Sequence, residues 1–273
     1  MTLTITELNW GHPVPGGGWR QLFEGFNLTC QPGEFVVVIG NNGSGKSTLL
    51  NLVSGTLRLS AGSIDLGGRP LHRYQDHRRA RWIGRVMQNP LEGTCPGLSI
   101  AENLRLAERR RHSGLLASGL LGLRPSRGDR QRYQRLLDEL GIPLTHRLDA
   151  LVGELSGGQR QTLSLVMATL GTPELLLLDE HTAALDPKAE ATVMGLTERL
   201  VRQLGATTLM VTHSLEQALH YGDRLLMLRD GALVHDWNAS ERRQLSPDAL
   251  RQLYGSGIVA PPADDATDGP ATP

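Results

Sequence analysis

The sequence has few of the features that would place it in several common protein classes. Its only two cysteines, Cys30 and Cys95, have neither the number nor the spacing of a disulfide framework or a zinc site, so a reducing compartment fits them better. No apolar run reaches the roughly 18 to 20 residues that cross a bilayer. Residues 1–10 show no basic segment followed by an apolar one, which argues against a secretory signal. We therefore expect a protein that works outside the lipid.

The chain also lacks a net charge. Its 28 Lys and Arg balance its 28 Asp and Glu, so no overall field attracts nucleic acid or an anionic membrane. A length of 273 residues allows one large domain or two small ones, and one domain is the simpler interpretation. Any partner must therefore be recognised by a local surface.

Strand-like apolar runs alternate with helical patterns along most of the chain. Residues 35–39 form an uninterrupted apolar run, typical of a strand covered on both faces of a parallel sheet, and similar runs recur at 175–178 and 207–212. A helical pattern at i, i+3, i+4 and i+7 covers residues 163–170. An Asp-Gly pair at 230–231 between short apolar runs indicates a hairpin. Alternating strands and helices predict an α/β fold.

Two regions depart from this alternation. Residues of about 90–158 lack buried-strand runs, and we interpret them as a helical insertion within a domain of residues 1–255. Arginines between residues 109 and 135 make part of it basic, either as a solvated face or as a surface for a partner or lipid headgroups. Residues 256–273 turn to Ala, Pro, Asp, Gly and Thr, which predicts a disordered tail.

A glycine-rich segment follows the run at 35–39 directly and matches the P-loop pattern in full. Its glycines allow the backbone N–H groups to curl around phosphate oxygens, and the following helix adds the positive end of its dipole. Lys46 is expected to bridge the β- and γ-phosphates of ATP, and Ser47 to ligate Mg²⁺. A glycine-rich turn without nucleotide is the plain alternative. The predicted ATP-binding residues of this segment are Gly40, Asn41, Asn42, Gly43, Ser44, Gly45, Lys46, Ser47 and Thr48.

Two carboxylates follow the run at 175–178. Asp179 and Glu180 would stand at the C-terminal end of a buried strand, where open α/β sheets bind ligands. This context predicts that Asp179 holds Mg²⁺ through water and that Glu180 polarises the attacking water as general base. A pair of solvated acids at a strand end is the alternative, and the P-loop in the same chain disfavours it.

A short motif, LSGGQ at residues 155–159, separates this chain from most P-loop proteins. It precedes a helical pattern, so its serine and glycines would present N–H groups at a helix N-terminus, although a simple N-cap would look the same. With the P-loop and the carboxylate pair it resembles the signature motif of ABC transporter ATPases. The resemblance runs over residues 3–236. It implies that the signature of one subunit closes over the γ-phosphate bound by Lys46 of another, through Ser156, Gly157, Gly158 and Gln159.

The resemblance also implies a fold and further site residues. The fold would be that of ABC ATPases, a P-loop NTPase with a RecA-like core, an N-terminal antiparallel β subdomain and the helical insertion. Gln88 looks like the glutamine that touches Mg²⁺ and water, Asp186 like the D-loop aspartate of the dimer interface, and His213 like the histidine that contacts the γ-phosphate. Trp10 is the candidate for stacking on adenine. Trp19 is an alternative, and so is a simple packing role.

The segment after the carboxylate pair resembles one subfamily of ABC ATPases more than others. His181 stands where many ABC ATPases have proline, and together with residues 93–99 and 167–170 it resembles bacterial importers of the tryptophan/tyrosine type. A plain spacer is the alternative for His181. The resemblance implies ATP and Mg²⁺ as cofactors, a homodimer or a heterodimer with a related ATPase, and integral membrane permease subunits. A substrate-binding protein would take part indirectly, and the ATPase would sit peripherally on the cytoplasmic face of the inner membrane.

Two other functions remain as hypotheses. A soluble ABC ATPase that acts on DNA or ribosomes usually has tandem cassettes, a coiled coil or a basic stripe, and the sequence has none of these, so we expect no nucleic acid partner. A non-hydrolysing regulatory module is disfavoured because Glu180, Gln88 and His213 are all present.

Overall fold

The computed structural model describes residues 1–109 and 124–255. The predicted tail at 256–273 and part of the basic zone, including Arg110 and Arg111, lie outside the described residues. The strands are β1 (Leu3–Pro13), β2 (Trp19–Cys30), β3 (Phe35–Gly40), β4 (Ala61–Leu66), β5 (Arg69–Pro70), β6 (Ile83–Val86), β7 (Leu175–Asp179), β8 (Thr207–Val211), β9 (Arg224–Arg229) and β10 (Ala232–Asn238). The helices are α1 (Lys46–Ser54), α2 (Asp76–Arg79), α3 (Ile100–Arg109), α4 (Arg127–Glu139), α5 (Gly157–Thr169), α6 (Pro187–Leu204), α7 (Leu215–His220), α8 (Ala239–Arg242) and α9 (Pro247–Gly255).

Two sheets organise these elements. The larger has the order β10-β9-β3-β8-β7-β6, with β9, β3, β8, β7 and β6 parallel and β10 antiparallel at one edge. The smaller is antiparallel, in the order β2-β1-β4-β5. The carboxyl ends of the parallel strands therefore lie at one edge, the place where open α/β sheets bind ligands.

The larger sheet is the middle layer because side chains alternate along its strands. On β3, Val36 and Val38 pack into a core with α1 and the smaller sheet, whereas Phe35, Val37 and Ile39 pack into a second core with α3, α5 and α6. Burial on both faces explains the uninterrupted apolar runs of β3, β7 and β8. Within the described ranges, no helix is both long and apolar enough to cross a bilayer.

The described part of the stretch at about 90–158 contains α3, α4, two 3-10 turns and the first residues of α5, with an isolated bridge between Ser99 and Leu151. Several of its arginines pair with acids of the same region. Arg132 lies 2.7 Å from Glu108, and Arg130 lies 2.5 Å from Asp149. In the described part of the basic zone, two arginines, Arg130 and Arg132, are therefore balanced locally.

Candidate active site

The phosphate loop connects β3 to α1 and depends on glycine at both ends. Gly40 and Gly45 have φ of 153° and 104°, in the region that side chains disfavour. A Cβ on Gly40 would lie 2.2 Å from the Leu228 carbonyl oxygen, and one on Gly45 would lie 2.8 Å from the Phe23 ring. The loop can therefore curl tightly against β9 and the smaller sheet only with glycine at these positions.

Two residues distant in the sequence support the loop, and no local pattern in the sequence predicts their contacts with it. The Gly40 N–H donates to the Tyr254 hydroxyl of α9 at 2.9 Å. The N–H of Gly231, at the tip of the β9–β10 hairpin, donates to the Ser44 carbonyl at 3.0 Å. The Ser44 hydroxyl itself is buried and has no hydrogen-bond partner among the described residues. The loop is thus held by α9 and the β9–β10 hairpin, while the buried hydroxyl of Ser44 contributes no hydrogen bond to it within the described residues.

Lys46 begins α1 and is only 6% exposed. Its Nζ donates to the carbonyl oxygens of Gly40 at 2.7 Å and Asn41 at 3.1 Å, so the ammonium folds back over the loop. Burial lowers the pKa of Lys46, while the nearby carboxylates of Glu180 and Asp179 act to raise it. A partly desolvated cation held only by neutral carbonyls is well placed to exchange them for phosphate oxygens.

Asp179 ends β7 beside the first turn of α1. The Ser47 hydroxyl donates to one of its carboxylate oxygens at 3.0 Å, and an Arg85 nitrogen lies 3.4 Å from the other. Burial raises the pKa of Asp179, and the hydrogen bond from Ser47 and the charge of Arg85 oppose that rise. Arg85 also donates to Asn51 at 2.7 Å. Its role was missed from the sequence, where the only signal is a charge in the middle of a buried strand.

Three predicted residues meet at one carboxylate oxygen of Glu180. Gln88 donates to Oε2 at 3.1 Å, and Nδ1 of His213 lies 3.2 Å from the same atom. Glu180 has φ of 44°, unusual for a residue with a side chain, and its N–H donates to the Val211 carbonyl at 3.0 Å. The strained backbone at the strand end directs this carboxylate toward Gln88 and His213.

These elements surround a cavity of about 960 Å³, lined by Trp10, His12, Arg20, Leu22, Asn42, Gly43, Gly45, Lys46, Ser47, Thr48, Gln88, Glu180 and His213. The ring of Trp10 lies 5.6 Å from that of His12. Trp19 is 62% exposed and donates to Gln21 at 3.2 Å. The structure thus places Trp10 on the cavity wall, and it adds His12 and Arg20, which the sequence reasoning missed.

The signature segment lies elsewhere in the chain's fold. The Ser156 hydroxyl accepts from the Gln159 N–H at 3.3 Å, and the Gln159 side chain accepts from the Ser156 N–H at 3.1 Å. Ser156, Gly158 and Gln159 line a second cavity of about 780 Å³, together with Asp186. Asp186 caps α6 through the N–H groups of Lys188 and Ala189. The signature and the D-loop aspartate are thus neighbours, and the cavity that they line is distinct from the one around Lys46.

His181 lines neither of these two cavities. It is 3% exposed, and its Nε2 lies 2.9 Å from the Thr197 hydroxyl. The Thr197 hydroxyl donates to the Val193 carbonyl, so the histidine ring must be the donor in its bond with Thr197. Burial lowers the pKa of His181 to about 4, which keeps the ring neutral at physiological pH. The residue anchors the turn after Glu180 to α6.

Comparison with known proteins gives consistent matches. The family model described as ABC transporter matches residues 23–183. A tyrosine transport ATP-binding protein of Clostridioides difficile is 42% identical over 253 residues, which is 92% of this chain and 98% of that protein. The phosphonates import ATP-binding protein PhnC of Alcaligenes faecalis is 37% identical over 238 residues, 85% of this chain and 82% of that protein.

A solved structure shares the fold. The ATP-binding cassette MJ0796, in a dimeric post-hydrolysis state bound to ADP and Pi, aligns with a TM-score of 0.73 and 25% identity. The alignment covers 87% of this chain and 98% of that one. The fold class predicted from the sequence motifs is confirmed.

Proposed function

This chain belongs to the ABC transporter family as an ATP-binding subunit with ATPase activity, and we propose that its hydrolysis of ATP powers solute import through separate permease subunits. Relatives named for tyrosine transport, phosphonates import and aliphatic sulfonates import support an importer. The 42% identity over nearly the whole tyrosine transport protein favours an aromatic amino acid as the solute. A substrate-binding protein would deliver the solute, and the ATPase would lie on the cytoplasmic face of the membrane.

The cavity around Lys46 is proposed as the ATP site. Loop N–H groups and the Lys46 ammonium would hold the β- and γ-phosphates. Trp10 would stack on the adenine from the cavity wall. The oxygens of Ser47, Asp179 and Gln88 form a hard donor set that suits Mg²⁺.

We propose Glu180 as the general base. Gln88 and His213 both contact its Oε2, so the carboxylate is oriented before substrate arrives. In this position it would take a proton from the water that attacks the γ-phosphorus, while Lys46 holds the phosphate oxygens in line. Mg²⁺, when bound, would neutralise charge on the β- and γ-phosphates. His213 would contact the γ-phosphate until that phosphate is released.

The separation of the two cavities is the observation that carries the proposal. The signature N–H groups lie at a different cavity from Lys46, so a second copy must bring them to the γ-phosphate. Two copies would bury two ATP molecules head to tail, with Asp186 at the interface. ATP would then close the dimer and hydrolysis would reopen it, because a ligand shifts a conformational equilibrium by its differential affinity for the two states.

Glu180→Gln tests this proposal. The variant is expected to bind ATP normally and to form a stable dimer with MgATP in light scattering. Its turnover should fall by at least ~100-fold, the usual contribution of a positioned base. Glu216→Gln makes the same exchange at an exposed site and should behave as wild type. Near-normal turnover of Glu180→Gln would refute the base assignment, and a monomer at saturating MgATP would refute the sandwich.

The transport assignment has a separate test. The full chain should copurify with a polytopic membrane protein from its own cells. Copurification with ribosomes or nucleic acid would instead favour a soluble ABC ATPase, the competing hypothesis.

A further inference from the structure

We infer that Gln217 is a positioning residue that couples the histidine segment of the active site to the turn after the carboxylate pair. The inference rests on the proposed function, because it concerns how Glu180 and His213 are held together. Gln217 lies in the first turn of α7, just after His213, and is 7% exposed. Its N–H donates to the Ser214 hydroxyl that caps this helix, at 3.2 Å.

The side chain of Gln217 makes hydrogen bonds to three neighbours and uses both of its N–H donors. The Thr212 hydroxyl donates to its Oε1 at 2.7 Å. Its Nε2 donates to the Thr182 hydroxyl at 2.8 Å and to Glu190 Oε1 at 2.6 Å. Because an amide has two N–H donors that face different directions, both bonds from Nε2 can form at once.

The chemistry of the partners fixes the orientation of this amide. Glu190 is a carboxylate and can only accept, so the nitrogen must face it and the oxygen must face Thr212. A flipped amide would set its oxygen against the carboxylate. Buried amides with every partner satisfied rigidify the segments they join.

Each of the partners belongs to a different segment. Thr212 immediately precedes His213 at the end of β8, and Thr182 lies in the turn that follows Glu180. The third partner is in the first turn of α6. Gln217 thus connects the backbone of the histidine to the backbone of the base, and connects both to the helix that the D-loop aspartate caps.

This connection matters because the contact between His213 and Glu180 lies partly in solvent and does not hold the backbone of either residue. The His213 side chain is 57% exposed, so its position relative to Glu180 depends on how its backbone is held. Displacement of a reacting group by about 1 Å can lower a rate about 100-fold. Loosening Gln217 should therefore slow hydrolysis without weakening nucleotide binding, since the phosphate loop makes none of these three contacts.

An exchange of functional groups gives the sharpest test. Gln217→Glu keeps an oxygen that can accept from the Thr212 hydroxyl. It also places a second carboxylate next to that of Glu190 and removes both N–H donors. We expect kcat to fall about tenfold or more in the full chain, while the Kd for a fluorescent ATP analogue stays within about twofold. In the double variant with Glu190→Gln, the new amide at position 190 can donate to the carboxylate at position 217. The Thr182 hydroxyl can rotate and donate to the same carboxylate. The double variant should regain kcat to within about threefold of wild type.

Gln217→Met is the second variant, because it keeps the length of the side chain without its polar atoms. It should lower kcat about tenfold with KM little changed. Gln203→Met makes the same replacement at an exposed position of α6 and should leave kcat unchanged.

The inference is overturned if Gln217→Met turns over at the wild-type rate, or if the double variant is no faster than Gln217→Glu alone. Failure of the proposed function looks different, because the wild-type chain would then show no ATP turnover that depends on Glu180.

Discussion

Two helix N-termini of this molecule face an anion in the proposed dimer, and they are built in opposite ways. The α1 end follows a fully buried strand, and its N-cap, Gly45, has no side chain to cap the helix. The α5 end is exposed. There the side chains of Ser156 and Gln159 each accept a hydrogen bond from the backbone N–H of the other residue.

Because of this difference, the two helix ends can serve different steps of ATP binding and hydrolysis. The first amides of any helix have no partner within the helix, so the α1 end leaves them for a ligand and depends on distant residues for its shape. At the α5 end, the capping box satisfies two amides, those of Ser156 and Gln159, so this end can be exposed to solvent until a partner meets the amides of Gly157 and Gly158. We therefore expect the α1 end to control binding by one chain and the α5 end to control events that need two.

Lys46→Ala should give the largest effect. Loss of the ammonium removes a charge-assisted contact to phosphate, so the affinity of the chain for ATP should fall at least ~100-fold, about 3 kcal/mol. Titration of a fluorescent ATP analogue measures it. Lys188→Ala removes an exposed lysine from the cavity near α5 and should leave this affinity unchanged. Equal losses of ATP affinity in the two variants would contradict the expectation that the α1 end controls binding by one chain.

Ser156→Ala should act on turnover instead. It removes the cap of α5, which costs ~1 kcal/mol in the free energy of unfolding. Turnover should fall about tenfold while ATP binding by the single chain is unchanged. Ser126→Ala is a matched control, because Ser126 caps α4 through the same reciprocal pattern with Asp129. The control should lose similar stability in denaturant titrations and keep its turnover, and a similar loss of turnover would show that the cap acts only through stability.

Tyr254→Phe should have a smaller effect on the α1 end. It removes the acceptor of the Gly40 N–H, a bond worth ~1 kcal/mol, so the Kd for ATP should rise about fivefold. Tyr221→Phe removes a hydroxyl from a partly exposed tyrosine and should bind ATP as wild type does. An unchanged Kd for Tyr254→Phe would show that the loop keeps its shape without α9.

Ser44→Ala should have the least effect on stability. Its hydroxyl has no partner among the described residues, so its removal should change the free energy of unfolding by less than ~0.5 kcal/mol. Chemical denaturation measures the change. A loss comparable with that of Ser156→Ala would mean that the Ser44 hydroxyl is satisfied in the free chain.

The parts of the site that directly follow a strand could be predicted from the sequence, because a residue next to a strand in the chain must lie at the end of that strand. The phosphate loop directly follows β3 and the carboxylates directly follow β7, so finding a buried strand also places the residues after it. Trp10 and Trp19 could not be separated in this way. The register of β1 against β2 shifts near Trp10, and each one-residue shift turns a side chain to the other face.

The supporting contacts were beyond sequence reasoning for a different reason. Tyr254, Gly231 and Gln217 act through contacts with residues far along the chain, and nothing in their immediate neighbours marks these contacts. Arg85 carries only the weak signal of a charge in a strand. The assigned roles of the site residues stay predictions until the variants are measured.

The bond between Gly40 and Tyr254 joins residues 214 positions apart. Closing so long a segment is slow, because the entropy of loop closure is lost before the contact can offset it. During synthesis, the phosphate loop emerges early but lacks this support until α9 has left the ribosome. Nascent chains should therefore gain full ATP affinity only after α9 has emerged, which delays dimer closure until that helix has folded.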